Sequence, residues 1–117
     1  MANESYENEL FGRMNDADSS AVLKGACGDE MEFYLIIEDN RIIDIKYYCE
    51  GCDATKSCAE TAALLVKGKT IEEALFISAG EVKKNIKNLP EGHLHCAILS
   101  VSTLYRAIAD YLLKHNM

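Results

Sequence analysis

Three cysteines carry the chemistry most readily read in this chain: Cys27, two residues before Asp29; Cys52, directly after Gly51; and Cys96, directly after His95. Thiolate sulfur, carboxylate oxygen and imidazole nitrogen are the donors from which zinc and iron–sulfur sites are built. Thiolates gathered without a cation repel one another. Such a grouping therefore implies a metal, or thiols that keep their protons, and a metal affinity that falls as the pH drops. Asp29 and His95 bind more weakly or exchange faster than a full thiolate set, which suits a site that releases its cargo better than a closed four-cysteine zinc site. Gly28 and Gly51 let the backbone turn sharply beside the sulfurs.

The remaining cysteines are Cys49 and Cys58, five in all, so at least one thiol has no internal partner. In a reducing compartment such a set is more often ligands or redox groups than a disulfide framework. Cys49 and Cys52 form a CxxC pair, but the βαβ pattern of a thioredoxin-type motif is missing and no second pair completes a zinc ribbon. Cys58 lies about a turn and a half into the helical pattern after Cys52. It reads as a core residue, with a place beside the site as the alternative.

At 117 residues, 49% of them hydrophobic, the chain is sized for one domain with one core, taken as residues 1–117. Twelve basic against 19 acidic residues give a formal charge of −7, and no Lys/Arg cluster stands out, which argues against a nucleic-acid partner. No apolar run approaches the roughly 20 residues that cross a bilayer, and Met1 to Glu9 is polar and acidic where a signal peptide is basic and then apolar. The expectation is a cytoplasmic protein with no membrane partner.

The elements that must position the cysteines follow from pattern. The alternation of Met31, Phe33, Leu35 and Ile37 with Glu32, Tyr34, Ile36 and Glu38 predicts a half-buried strand over Glu30 to Glu38. Arg41 to Glu50 is its partner, through a two-residue hairpin at Asp39-Asn40. A short strand at Ala21 to Lys24 adds to one edge. The first dozen or so residues, with Tyr6, Leu10, Phe11 and Met14 on one side, predict a short helix. Ala54 to Val66 predicts a helix ended by Gly68, and Thr70 with Glu73 makes a capping box for the next. A further short helix runs from Ser78 or Ala79 to Ile86, and Cys96 opens the longest one. Strands followed by helices predict an α+β domain, a small antiparallel three-stranded sheet with helices packed on one face. The hairpin brings Cys27 and Cys52 near each other. Helix starts at Cys52 and Cys96 favour their thiolates.

These residues resemble the IscU and NifU N-terminal scaffold family. The likeness rests on Cys27-Gly28-Asp29, Gly51-Cys52, Val66-Lys67-Gly68-Lys69-Thr70 with Glu73-Ala74-Leu75, Leu89-Pro90 and His95-Cys96, and spans about Ala26 to Leu113. The resemblance implies a scaffold or carrier, not an enzyme. It would assemble a [2Fe-2S] or [4Fe-4S] cluster from iron and from sulfur delivered by a cysteine desulfurase, then pass it to apo-proteins. Cys27, Asp29, Cys52, His95 and Cys96 become the metal ligands, with His93 and Cys58 as additional candidates and Cys96 as the sulfur acceptor. Asp29 is the aspartate linked to cluster release. A zinc-binding module of the same fold, with a structural or sulfur-relay role, is the alternative. A homodimer sharing a cluster is compatible with the family. Where many members recruit an Hsp70-type chaperone through Leu-Pro-Pro-Val-Lys, this chain has Leu89-Pro90-Glu91-Gly92-His93, a departure that weighs against such recruitment. The residues after Cys52, Asp53-Ala54-Thr55, also differ from the family's usual Gly-Ser-Ala.

Overall fold

In the computed structural model residues 10–25, 28–86, 89 and 93–115 are described. Strands β2 (Glu30–Glu38) and β3 (Arg41–Glu50) form the central hairpin. Its turn is Asp39-Asn40, with φ of 54° and 65°, the left-handed pair that a two-residue turn between right-twisted strands requires. Strand β1 (Ser19–Lys24) lies antiparallel on the far side of β2, giving the order β1-β2-β3. Between Ile36 and Ile37 the pairing skips Ile43, a bulge that turns Ile42 to the same buried side as Ile45 and Tyr47.

Among the described residues four helices follow: α1 (Asp53–Val66), α2 (Ile71–Leu75), α3 (Ala79–Lys84) and α4 (Leu94–His115). In α1 the buried side is made of small residues, Cys58, Ala59, Ala62 and Ala63 with Val66 at its end, so the helix comes down close on β3. Gly68, at φ +85°, turns the chain out of α1 and donates its N–H to the Ile42 carbonyl at 2.7 Å. The capping box at α2 is complete: Glu73 N–H donates to Thr70 Oγ1 at 3.1 Å, and Thr70 N–H to Glu73 Oε1 at 3.0 Å. Helix α4 crosses β1 and β2 and packs against α1, burying Ala97, Leu104, Ala107 and Ile108 over Met31, Phe33 and Leu35 in one core. The helices thus cover one face of a three-stranded antiparallel sheet, the α+β arrangement that the pattern predicts.

Two expectations are corrected. By length and mean hydropathy α4 could cross a bilayer, against the expectation that no apolar segment approaches that size; half of its apolar stretch is instead buried within the fold, as in a core helix. The expected N-terminal helix is not continued past Leu10, which alone is helical among the described residues up to Met14; residues 1–9, Tyr6 included, lie outside the described part. Phe11 forms a parallel bridge with Tyr47, and Gly12 N–H donates to the Tyr47 carbonyl at 2.7 Å. The open edge of β3 and the Tyr47 ring, 5.4 Å from the Phe11 ring, outcompete local helix preference. Further on, Arg13 reaches Glu32, which is buried although it lies on the more exposed side of β2.

Candidate metal centre

Pairing of Glu30 with Glu50 sets Asp29 opposite Gly51 at the open end of the hairpin. The approach is close: a Cβ on Gly51 would lie 2.8 Å from Asp29 Cγ and 3.0 Å from each carboxylate oxygen. Only glycine leaves this room. Below it the chain turns tightly, with Gly28 N–H donating to the Gly25 carbonyl at 3.1 Å and Gly25 N–H to the Asp29 carbonyl at 2.7 Å. Cys27 lies outside the described residues, as do Pro90, Glu91 and Gly92.

Cys52 is the N-cap of α1 and exposed; Cys96 is the third residue of α4 and fully buried. His93 precedes α4 in a short 3₁₀ turn. Its Nδ1 lies 4.0 Å from Cys52 Sγ and 3.9 Å from Cys96 Sγ, and one donor atom from each of the three residues falls within 4.8 Å of the others. Zinc–sulfur and zinc–nitrogen bonds of about 2.3 and 2.0 Å span roughly 3.5 Å across a tetrahedral edge, so a small inward movement would bring these donors onto one metal ion. His93 stands three residues before Cys96, one helical turn away and on the same side. His95, adjacent in sequence, instead stacks its ring on that of His93, with centroids 5.9 Å apart and planes 25° apart. Asp29 is not in the three-residue group; its carboxylate accepts a hydrogen bond from Thr55.

Thr55 is the residue that sequence reading missed. Fully buried at the third position of α1, it places Oγ1 3.5 Å from Cys52 Sγ and 3.5 Å from Cys96 Sγ while donating to Asp29 Oδ2. A hydroxyl three residues after a cysteine at a helix start was the available signal, since residue i+3 faces the N-cap side chain.

The thiols differ. That of Cys52 is held below the ordinary cysteine value, by the Thr55 hydroxyl first and then by the backbone N–H groups of Thr55 and Ala54 that open α1. That of Cys96 is raised by burial, which outweighs the Thr55 contact. The expectation that a helix start favours both thiolates therefore holds for Cys52 and is corrected for Cys96, where desolvation wins. Burial also lifts Cys49 to about 11 and Cys58, fully buried in the core and outside the three-residue group, to about 12.

The family profile described as the NifU-like N terminal domain matches residues 4–117. The chain belongs to this family. It is 42% identical over 106 residues to the iron-sulfur cluster assembly scaffold protein IscU 1 of Archaeoglobus fulgidus, covering 90% of this chain and 69% of that one. To the iron-sulfur cluster assembly scaffold protein IscU of Haemophilus influenzae it is 34% identical, over 95% of this chain and 92% of the relative. A crystal structure from Fervidobacterium islandicum AW-1, described as a proposed iron-sulfur cluster assembly scaffold for the SUF system, superposes with a TM-score of 0.72 at 22% identity, over 90% of this chain and 92% of the other. That likeness is one of fold, and it agrees with the sheet and helices described above.

Proposed function

We propose that this NifU-like chain is an iron–sulfur cluster assembly scaffold, which binds iron, accepts sulfur from a cysteine desulfurase, and passes the finished cluster to apo-proteins. The observation that carries the proposal is the convergence of Cys52, His93 and Cys96, with Asp29 joined to them through Thr55, at the end of the hairpin where two helices begin. Two thiols and an imidazole suit iron and zinc alike. The relatives are named for iron–sulfur cluster assembly, which favours the cluster over a zinc module. The cluster is cargo, so the chain is a carrier and not a turnover enzyme. Cys27 and Asp29 complete the proposed ligand set, with His95 behind His93.

Sulfur arrival is assigned first to Cys52. Of the four described cysteines it is the exposed one, and its thiol is held low. A thiolate there attacks the outer sulfur of the desulfurase persulfide and displaces the desulfurase thiolate. Cys96, expected from the sequence to be the acceptor, is buried with its thiol raised and takes up sulfur within the site.

Anaerobic reconstitution with iron, sulfide and a cysteine desulfurase tests the proposal. The unaltered chain should develop sulfide-to-iron absorption in the visible with matched iron and sulfide contents, and Cys52→Ser should lose it. A colourless protein that retains one tightly bound zinc ion would overturn it.

A further inference from the structure

Thr55 carries none of the usual metal donors, yet its hydroxyl touches both described site sulfurs and the aspartate. A hydroxyl has one proton to give and two positions at which to accept. Here the proton goes to the Asp29 carboxylate, a charge-assisted bond about twice as strong as a neutral one. The Cys52 and Cys96 sulfurs, each 3.5 Å away, are the weaker competitors for that same proton. On its other side the carboxylate rests against Gly51, with no room even for a methyl group, since a Cβ there would stand 2.8 Å from Asp29 Cγ. Asp29 is therefore held from two sides, outside the group that Cys52, His93 and Cys96 form.

We propose that Thr55 is a latch on Asp29: by donating its single proton to the carboxylate, its hydroxyl holds Asp29 out of the metal's ligand set. Thr55 is a positioning residue and touches no cargo itself. The inference deepens the scaffold reading and rests on its metal set, but it does not require that a cluster be assembled. A freed carboxylate adds an oxygen ligand to the set that Cys52, His93 and Cys96 form with Cys27, so the latch decides whether Asp29 counts among the donors.

Cobalt(II) titration of the full chain reads this directly, through the sulfur-to-cobalt charge-transfer band and the ligand-field bands. Thr55→Val keeps the shape and removes the hydroxyl. It should bind cobalt tighter by on the order of tenfold, opposite in sign to the usual loss of an outer-shell partner because this partner holds a ligand away from the metal, and shift the ligand-field bands as Asp29 displaces solvent. Thr55→Ser should bind as the unaltered chain does. In an Asp29→Ala background Thr55→Val should alter neither affinity nor spectrum. If Thr55→Val melts too early to titrate, Thr55→Ala compared with and without Asp29→Asn gives the same reading, because the amide that replaces the carboxylate still accepts from a hydroxyl but is a poor ligand. No tightening in the hydroxyl-free variants, or the same tightening without the Asp29 carboxylate, or a Thr55→Ser that behaves like Thr55→Val, overturns the latch. Cobalt behaviour as expected with no iron–sulfur chromophore leaves the latch standing and removes the scaffold reading. No cobalt bound through Cys52 removes the metal set and the latch together.

Discussion

Gly51→Ala should destabilise the protein by acting on Asp29. The added methyl would stand 2.8 Å from Asp29 Cγ and 3.0 Å from both oxygens, where about 3.4 Å or more is ordinary contact. Because both oxygens are equally near, turning the carboxylate about its own axis relieves nothing, and it must retreat. Retreat breaks the hydrogen bond from Thr55, whose buried hydroxyl then loses its acceptor. A hydrogen bond to a charged group contributes about 1.5–3 kcal/mol. Asp29 is only half-buried and regains water on leaving, so the low end applies, about 1.5 kcal/mol, or roughly 6 °C of melting temperature for a chain of this size. Thermal melts of Gly51→Ala, Asp29→Ala and the double variant separate this from any backbone effect of alanine itself. Truncating Asp29 removes the three atoms nearest the methyl, so the double variant should be more stable than the summed single losses by about 1 kcal/mol or more. Losses that simply add, within about 0.5 kcal/mol, would refute the reasoning.

Glu32→Gln tests the network outside the site. Glu32 accepts from Arg13 Nε at 2.9 Å and Arg13 Nη2 at 3.1 Å and from the Tyr34 hydroxyl, and the Arg13 bonds above all hold its carboxyl below the ordinary value. A folded-state value below the unfolded one contributes stability that is present above the unfolded value and lost as the pH falls through the folded one. At neutral pH the substitution should therefore cost about 1–2 kcal/mol, after discounting for the half-exposed Arg13, and the gap to the unaltered chain should close as the pH drops from about 5 toward 3. A pH-independent gap in urea melts would count against the assignment. Iodoacetamide at pH 7, followed by peptide mapping, should label Cys52 ahead of Cys49, Cys58 and Cys96, because it alone among them is exposed with a lowered thiol. Equal labelling of Cys96 would contradict the order of sulfur arrival proposed above.

What could be read in the sequence was what neighbours in the chain decide. The Asp39-Asn40 turn, the alternation along β2, the stop at Gly68 and the Thr70–Glu73 capping box are each fixed within a few residues. What could not be read depends on contacts far apart. Glu32 sits at a position that alternation assigns to solvent, and Arg13, 19 residues away, brings it under cover. Phe11 leaves a helical pattern to pair with Tyr47, and the bulge at Ile43 rephases β3 so that Ile42 and Ile45 share a face. At the site, the sequence offered both His95 and His93, and it is helical phase that sets His93 beside Cys96. Thr55 has no signature as a donor, and its contacts exist only once α1 and α4 have docked. Position at a helix start suggested a lowered thiol at Cys96, whereas its burial, which only the docked fold creates, raises it.

The place of α4 in chain order sets a problem for synthesis. This helix closes the core over β1 and β2, yet it follows every other described element. While a ribosome is still making it, Met31, Phe33 and Leu35 have little above them but water, and α4 itself emerges as an apolar segment with no partner until it finds the sheet. Domains emerge at about 5–20 residues per second, so a 22-residue helix leaves that face bare for about one to four seconds. During that interval the nascent sheet is open to any passing apolar peptide.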